Sequence, residues 1–318
     1  MSDQPTVLIL AWLPDGGLER LSCACPGIEF LDGRDPVAAE RHLARATIIY
    51  GVPTAEQLGK APALRWVQLT SAGVPRDFCR AAHARGLTVT NLAGLYGPSI
   101  AEHGLALMLV LARNLHVVLR NQAQRRWDRD VANTMCDLHG RTLAVVGLGN
   151  IGRAVARLGR CCGMRVVGCR RTDRPAADVD RVYPCRELHA LLGEADVVAV
   201  AAPLTDQTEG MLGAAEFAAM KRGVLYVNVS RGQVAQEAAL LDALQSGQVA
   251  AAGLDAYAAE PLPADHPFWT MPNVIISPHY SGETVNSSSL PLERFLRNLA
   301  NWQTGQSLEG RVDTEQGY

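Results

Sequence analysis

Short apolar runs punctuate the first third of the chain at 7–10, 46–50, 66–69 and 88–91, and the stretches between them carry apolar residues at helical spacing. Such runs, rich in β-branched and aromatic residues, predict strands, and strands alternating with helices predict a parallel sheet covered on both faces. Pro98 is placed for the first turn of a long helix through Ala101, Leu105, Met108 and Leu111 towards Leu119, because proline is tolerated where the first amides have no helical partner. The pattern resets at Arg141. Strands are predicted at 143–146, 166–169, 196–202, 225–229, 251–254 and 274–276, with a helix at 154–162 and later helices ending near Gly223 and Gly247. This is a second, independent βαβ series. One helical pattern, Leu292 to Trp302, follows the completed second sheet and is expected to pack on the first domain.

A chain of 318 residues exceeds one ordinary core, so two domains are expected. With 48% hydrophobic and 19% charged residues it should bury a large core and fold throughout. The formal net charge of −2 provides no general attraction to nucleic acid or to an anionic membrane. Anion binding must therefore be local, and arginine, which carries nearly all the positive charge, must supply it. No basic segment precedes an apolar stretch at the start, and the run Thr6 to Leu13 is too short for a signal core, so a cytoplasmic location is expected. The longest apolar segment, Gly104 to Ala112, falls well short of the ~20 residues that span a bilayer and reads as a buried helix. Eight cysteines, among them Cys23/Cys25 and Cys161/Cys162, are spaced neither as a disulfide framework nor as a zinc site; free, mostly buried thiols and no metal are expected.

Gly147-Leu148-Gly149-Asn150-Ile151-Gly152 follows an apolar strand and opens a helix. The string alone is a weak signal, but in this context it is a dinucleotide fingerprint, and a plain βα turn is the lesser reading. Gly147 permits the tight turn, Gly149 lets the backbone approach a pyrophosphate, and Gly152 lets the helix lie close to the strand. The helix start at Asn150 and Ile151 then faces the phosphates. NAD-selective sites place a carboxylate at the end of the next strand. Here Arg170, Arg171 and Thr172 stand there, offering guanidinium forks and a hydroxyl to a 2′-phosphate. NADP is expected in preference, with NAD as second choice. A merely solvated strand end is the alternative, since Asp173 lies close enough to offset part of the charge.

Three further segments lie at or just past predicted strand ends: Val229-Ser230-Arg231-Gly232, then Gly253-Leu254-Asp255 with Glu260-Pro261, then Ser277-Pro278-His279. Ligands bind at that edge of an open α/β sheet, so an arginine, a glutamate and a histidine from distant segments are expected to meet over a nicotinamide. Singly, the arginine is as often a surface ion-pair member, the glutamate a turn residue and the histidine a satisfied core group. Jointly, at successive strand ends, the functional reading wins. Hydride delivery to a ketone builds alkoxide charge, which a fixed guanidinium and an imidazolium donor stabilise, and a carboxylate beside the imidazole favours the charged donor.

At this point the sequence resembles the D-isomer-specific 2-hydroxyacid dehydrogenase family over nearly the whole chain. Besides the segments above, the resemblance rests on Ser71-Ala72-Gly73-Val74 after a strand, Ile100-Ala101-Glu102-His103 opening the long helix, and Pro203-Leu204-Thr205 with Thr208 after another strand. It implies an α/β fold of two Rossmann-like, doubly wound parallel-sheet domains. The coenzyme domain, 99–285, is inserted into a discontinuous substrate domain, 1–98 and 286–318. Residue by residue, it implies that Arg231 binds the substrate carboxylate and keto oxygen, that His279 is the general acid/base, and that Glu260 hydrogen-bonds to His279. Asp255 would contact the nicotinamide amide, and the backbone of Ala72, Gly73 and Val74 would bind the substrate carboxylate. Pro203, Thr208, Val229, Ser230 and Gly282 complete the expected cofactor contacts. The implied reaction interconverts a small 2-keto acid, of the glyoxylate, hydroxypyruvate or pyruvate type, and its 2-hydroxy acid. A homodimer formed through the apolar helix around Met108 is expected; burial of that helix within one chain is the alternative.

Val52 and Pro53, Leu95 and Tyr96, and Phe268 and Trp269 are candidate pocket walls that would favour a small substrate, although ordinary packing explains them equally well. Two rival functions stay open. Formate dehydrogenases of the same broad family resemble His266-Pro267 and Pro278-His279-Tyr280-Ser281-Gly282, but usually carry glutamine in place of Glu260, and formate oxidation needs no proton transfer. Some proteins of this fold act as dinucleotide-sensing partners of transcription factors. The intact Arg231, Glu260 and His279 argue against a purely binding role, and no basic stripe or long disordered tail points to recruitment. Val234-Ala235-Gln236-Glu237 departs from the Val-Asp-Glu that commonly follows the family's Arg-Gly pair. The short stretch after the last helix leaves no room for the regulatory domain of long phosphoglycerate dehydrogenases, so feedback by serine is not expected.

Overall fold

The computed structural model describes residues 5–172, 174–285 and 287–315. Asp173, weighed above as a charge offset, lies outside them, as do 1–4, 286 and 316–318 of the expected substrate domain. The chain divides into two compact units, Met1–Tyr96 with Glu283–Tyr318, and Gly97–Gly282.

In the first unit β1 (Thr6–Ile9), α1 (Gly17–Ala24), β2 (Glu29–Asp32), α2 (Pro36–His42), β3 (Ile48–Tyr50), α3 (Ala55–Gly59), β4 (Trp66–Gln68), α4 (Arg76–Ala84) and β5 (Thr88–Thr90) follow one another. All the strands are parallel, in the order β2-β1-β3-β4-β5. β1, β3 and β4 are buried at every residue, because helices cover both faces of the sheet; they read as unbroken apolar runs for that reason. β2 is an edge strand, Glu-Phe-Leu-Asp, with no fully buried side chain, and its polar ends hide it from a hydrophobicity reading. Local chemistry starts the helices: the Asp35 carboxylate accepts the amides of Val37 and Ala38 at α2, and Thr54 with Gln57 forms a capping box at α3.

The second unit opens with two helices where one was expected to run through to Leu119. α5 (Gly97–Ala112) and α6 (Leu115–Ala123) meet at a 69° bend. Asn114 sits between them at φ 49, a left-handed conformation that asparagine tolerates better than most residues, and its side chain donates to Thr134 Oγ1 at 2.8 Å. Met108 is fully buried among Leu107, Leu111 and Val227, so that side chain belongs to the chain's own core, while Leu109 beside it is exposed. No single described helix is long and apolar enough to cross a membrane.

The remainder of this unit comprises β6 (Thr142–Val146), α7 (Asn150–Cys161), β7 (Arg165–Arg170), β8 (Arg181–Pro184), α8 (Leu188–Glu194), β9 (Val197–Val200), α9 (Ala214–Ala219), β10 (Val224–Asn228), α10 (Glu237–Gln245), β11 (Val249–Leu254) and β12 (Val274–Ile276). These seven strands are parallel in the order β12-β11-β10-β9-β6-β7-β8. The chain winds outward from β6 to β8 and then returns to β9 on the other side of β6, which makes the carboxyl ends of β6 and β9 the switch point where such sheets bind ligands.

The chain then re-enters the first unit as α11 (Leu290–Thr304), in agreement with the sequence expectation. Leu292, Phe295 and Leu299 are fully buried against Tyr50 and Trp66, with the Phe295 ring 4.6 Å from that of Tyr50. Beyond it, Val312 donates its amide to Val89 and Arg311 pairs with Thr90, covering the edge of β5. The thiols are all unpaired, but only Cys25, Cys79 and Cys169 are buried; Cys23, Cys161 and Cys185 lie on exposed turns and helix faces, which corrects the expectation of mostly buried thiols. No group of three or more His, Cys, Asp or Glu among the described residues could hold a metal.

Candidate active site

The glycine turn between β6 and α7 has the shape that its motif requires. Gly147 adopts φ 100, and a Cβ there would lie 2.6 Å from the backbone of Ala202. A Cβ on Gly152 would fall 1.9 Å from the Gly147 carbonyl oxygen, so only glycine lets α7 approach β6 this closely. Gly149 caps α7 without a side-chain hydrogen bond, and a Cβ there would meet nothing within 4 Å. The first turn carries no acidic residue; Asn150 is exposed, and Ile151 packs half-buried on the core. A twelve-residue helix thus presents its positive end to open space beside a tight turn, an arrangement that fits a pyrophosphate. The amides of Gly147 and Leu148 both donate to the Cys169 carbonyl at 3.1 Å, tying the turn to the end of β7.

At that end Arg170 turns back on its own loop. Its guanidinium donates to the carbonyls of Arg174 and Pro175, the latter at 3.0 Å, whereas Arg171 and Thr172 are exposed. Past β9, Thr208 donates to the Pro203 carbonyl at 2.6 Å and accepts the Thr205 amide at 2.8 Å, which stiffens the loop on the other side of the switch point.

Arg231, Glu260 and His279 come from the loops after β10, β11 and β12, three neighbours in the sheet. Asn228 organises the first loop: its Oδ1 accepts the Ser230 amide at 3.0 Å and the Ser230 hydroxyl at 2.9 Å, and its Nδ2 donates to the Arg231 carbonyl at 3.1 Å. Val229 and Ser230 are buried, while the Arg231 guanidinium is half-exposed and donates to the Ser230 carbonyl at 2.7 Å. Glu260 accepts the Tyr257 amide on Oε1 at 3.0 Å and pairs through Oε2 with His279 Nδ1 at 2.7 Å. A carboxylate on Nδ1 places the proton there and leaves Nε2 without a partner among the described residues. Both side chains are more than a third exposed.

His279 lies at φ 53, in the left-handed region. Asp255, 1% exposed, accepts the amides of the two residues that follow it, Tyr280 at 3.2 Å and Ser281 at 3.0 Å. The same carboxylate accepts the Ser277 hydroxyl at 2.6 Å, and His103 Nε2 from α5 lies 2.9 Å from that hydroxyl. Tyr257 adds a hydroxyl within 2.9 Å of the Ser277 carbonyl, and Gly282 closes the loop. Asp255, expected on the nicotinamide amide, is thus engaged with its own loop on both oxygens. The sequence reading missed His103 and Ser277 as a pair; a polar residue on the buried stripe of an apolar helix was the signal available.

In the first unit the loop after β4 is pinned by Asn91, whose Nδ2 donates to the Ala72 carbonyl at 2.7 Å, and by the Ser71 hydroxyl on the Gly73 carbonyl at 2.7 Å. The amides of Ala72, Gly73 and Val74 have no protein acceptor among the described residues. Of the suggested pocket walls, Val52 and Trp269 are exposed, Leu95 and Tyr96 half-buried, and Pro53 buried. Phe268 is core, 3% exposed and 4.5 Å from the His266 ring, so packing explains it. His266 in turn contacts Glu237 at 3.0 Å, giving the divergent Val-Ala-Gln-Glu segment a structural role.

Comparison with known proteins identifies the family. The family model described as "D-isomer specific 2-hydroxyacid dehydrogenase, NAD binding domain" matches residues 105–281. A glyoxylate/hydroxypyruvate reductase B from Enterobacter sp. (strain 638) is 32% identical over 98% of this chain and 97% of its own. A solved D-isomer specific 2-hydroxyacid dehydrogenase family protein from Aeromonas salmonicida subsp. salmonicida A449 is 34% identical, with a TM-score of 0.81 over 98% of this chain and 99% of that one. An NADPH-dependent glyoxylate/hydroxypyruvate reductase from Sinorhizobium meliloti, solved with NADP and sulfate, is 25% identical, with a TM-score of 0.86 over 99% of this chain and 100% of that one. Similarity of sequence and fold across nearly the whole length leaves one assignment: the chain belongs to the D-isomer-specific 2-hydroxyacid dehydrogenase family.

Proposed function

We propose that this enzyme reduces a small 2-keto acid of the glyoxylate or hydroxypyruvate type, with NADPH in preference to NADH. The observation that carries the reading is the 2.7 Å contact of Glu260 with His279 Nδ1, which leaves Nε2 outward as a proton donor two strand ends from Arg231. A bound nicotinamide supplies the hydride. Arg231 holds the substrate carboxylate and keto oxygen, and His279 Nε2 delivers a proton to that oxygen as negative charge builds on it. Glu260 fixes the ring and stabilises the charge it carries while donating. In the oxidative direction the same nitrogen takes the proton back from the substrate hydroxyl. The amides of Ala72, Gly73 and Val74 suit a carboxylate, as successive unpaired amides do.

For the cofactor, Gly147, Gly149 and Gly152 would hold the pyrophosphate, with Pro203, Thr208, Val229 and Ser230 along the dinucleotide. Arg171 and Thr172 would take the 2′-phosphate on a loop that Arg170 shapes. The NADP complex of the Sinorhizobium meliloti reductase supports this choice. The test is an initial-rate panel of glyoxylate, hydroxypyruvate, pyruvate and longer 2-keto acids with NADPH and NADH, plus formate with NADP and NAD. Keto-acid reduction with NADPH ahead is the expected result. Turnover of formate alone would replace the reading, and NADH ahead of NADPH would remove the role of Arg171 and Thr172.

A homodimer is part of the proposal. α6 is inverted: Leu115, Val118 and Leu119 are exposed on one face, at i, i+3 and i+4, while His116 and Asn121 are buried on the other. Leu109 and Trp127 add exposed apolar surface near it in sequence, the pattern expected of a helix that a second copy covers.

A further inference from the structure

Two cysteines that the reaction does not use stand side by side at the adenosine end of the dinucleotide sheet. β7 and β8 pair in parallel with Cys169 opposite Tyr183. Cys185 follows directly on the end of β8, two residues past Tyr183, which places it beside the end of β7 that carries Cys169. Cys169 is 1% exposed, whereas Cys185 is exposed at the start of the 3-10 turn Cys185–Glu187. Each thiol is the other's strongest electrostatic influence. No disulfide joins them in this structure.

We propose that Cys185 and Cys169 form an oxidant-sensitive thiol pair, in which Cys185 reacts first with a hydroperoxide and Cys169 resolves it as a disulfide that weakens dinucleotide binding. The roles follow from access, because only Cys185 is open to solvent. The neighbouring Cys169 thiol, its own backbone amide and the Arg171 charge also push the Cys185 thiol down, outweighing the opposing effect of burial. Cys169, beside Cys185 and buried, is pushed up. In the first step the Cys185 thiolate attacks the peroxide; an S–O bond forms, the O–O bond breaks, and water or an alcohol leaves after protonation. In the second step Cys169 sulfur attacks the sulfenic sulfur; the S–S bond forms, the S–O bond breaks, and the hydroxyl leaves as water with the Cys169 proton. Two thiols are oxidised by two electrons and one hydroperoxide is reduced.

The consequence for binding rests on the dinucleotide reading above. A disulfide fixes its two Cα atoms about 4.4–6.8 Å apart, so closing the bond would clamp the turn at Cys185 onto the end of β7. β8 is the edge strand, free on one side, while the Cys169 carbonyl holds the amides of Gly147 and Leu148 in the glycine turn. Arg170 and Arg171 follow directly. The movement is therefore transmitted to the pyrophosphate turn and to the loop proposed for the 2′-phosphate, and by reciprocity a bound dinucleotide should slow the oxidation.

The experiment treats the reduced full-length protein with stoichiometric hydrogen peroxide and follows it by intact mass, peptide mapping and NADPH fluorescence titration. Loss of two hydrogens, a linked Cys169–Cys185 peptide, affinity for NADPH reduced about tenfold and recovery in dithiothreitol are expected. Cys185→Ser should abolish all of these while leaving the reduced-state affinity unchanged, and Cys169→Ser should leave a sulfenic acid at Cys185 that dimedone traps. Sulfinic acid accumulating at Cys185 with Cys169 still reduced would overturn the pair, as would a linkage through other cysteines. A linked peptide with unchanged NADPH affinity would overturn the coupling. Failure of the reduced protein to bind NADPH at all would count against the dinucleotide reading, and the linked peptide would still decide the pair.

Discussion

His279 at φ 53 needs restraint, since such a conformation in a non-glycine residue costs on the order of 1–3 kcal/mol. Asp255 supplies it by accepting the amides of Tyr280 and Ser281, and it also accepts the Ser277 hydroxyl, against which His103 Nε2 packs. Ser277→Ala removes the hydroxyl that joins His103 to Asp255, and is expected to lower kcat by about tenfold through misplacement of the imidazole, with a smaller change in KM for the keto acid. Steady-state kinetics with a dinucleotide titration checks this; equal losses in kcat and in dinucleotide affinity would make the network merely structural. His279→Ala removes the donor itself and should reduce kcat by about 10²–10⁴-fold, with dinucleotide affinity preserved; retained turnover would end the assignment. The glycine turn, Arg231, Glu260 and His279 were legible in the sequence because each lies in a contiguous string with its own chemistry. His103 and Ser277 are 174 positions apart, and a hydrogen bond of that separation exists only once α5 has packed on the sheet.

Strands were legible where an apolar run marks them, even at the edge strands β5 and β12, and illegible at the other two sheet edges. β2 and β8 are both edge strands, Glu-Phe-Leu-Asp and Arg-Val-Tyr-Pro, in which charge and proline blunt the open side and erase the apolar run. The break at Asn114 was hidden for a different reason: apolar spacing continues on both sides of it, and only the left-handed backbone ends α5. The attachment of α11 is specific beyond its apolar face. Asn298, fully buried, donates to Gln68 Oε1 at 2.8 Å and accepts the Glu309 amide at 2.8 Å, while Gln68 also accepts the Thr90 hydroxyl. Asn298→Ala should therefore lower stability by about 1–3 kcal/mol, seen in chemical denaturation of the first unit's tryptophan signal; a change within error would show that water replaces the amide at no loss. In the other sheet, Asp180 and Asp196 accept the Val166 and Thr142 amides that begin β7 and β6. The Val166 amide and then Arg160 hold Asp180 below its ordinary value of 3.8. Burial alone would raise Asp196, but the Thr142 amide and Lys221 outweigh it and hold that carboxyl lower too. Carboxyls depressed in the folded state stabilise it above the unfolded value and lose that effect as pH falls through the folded one. Melting temperature should accordingly drop as pH falls below about 4, with a shallower drop in Asp180→Asn; an unchanged slope in that variant would remove the contribution.

At the scale of the molecule, the leftover helical pattern at 292–302 was the decisive sequence clue, because a chain that completes a second sheet and still has an apolar helix must return it to the first. The surface proposed for self-association was only half legible. The apolar density of 104–112 pointed to a contact surface, yet Met108 and its neighbours satisfy the chain's own core, and the unsatisfied surface lies one helix later. There the burial pattern runs against hydrophobicity: His116 and Asn121 are inside, with the burial of His116 disfavouring its charged form, while Leu115, Val118 and Leu119 face outward. A free surface gains nothing from that inversion, whereas a second copy would remove those side chains from water at about 1.5–3 kcal/mol for each one fully buried. Leu119→Arg, set at the most exposed position of the three, should convert the protein to a monomer in sedimentation velocity without loss of its circular dichroism, since the side chain packs against nothing in its own chain's core. A wild-type protein that already sediments as a monomer at micromolar concentration would withdraw the dimer, and the inverted face of α6 would then need a different partner.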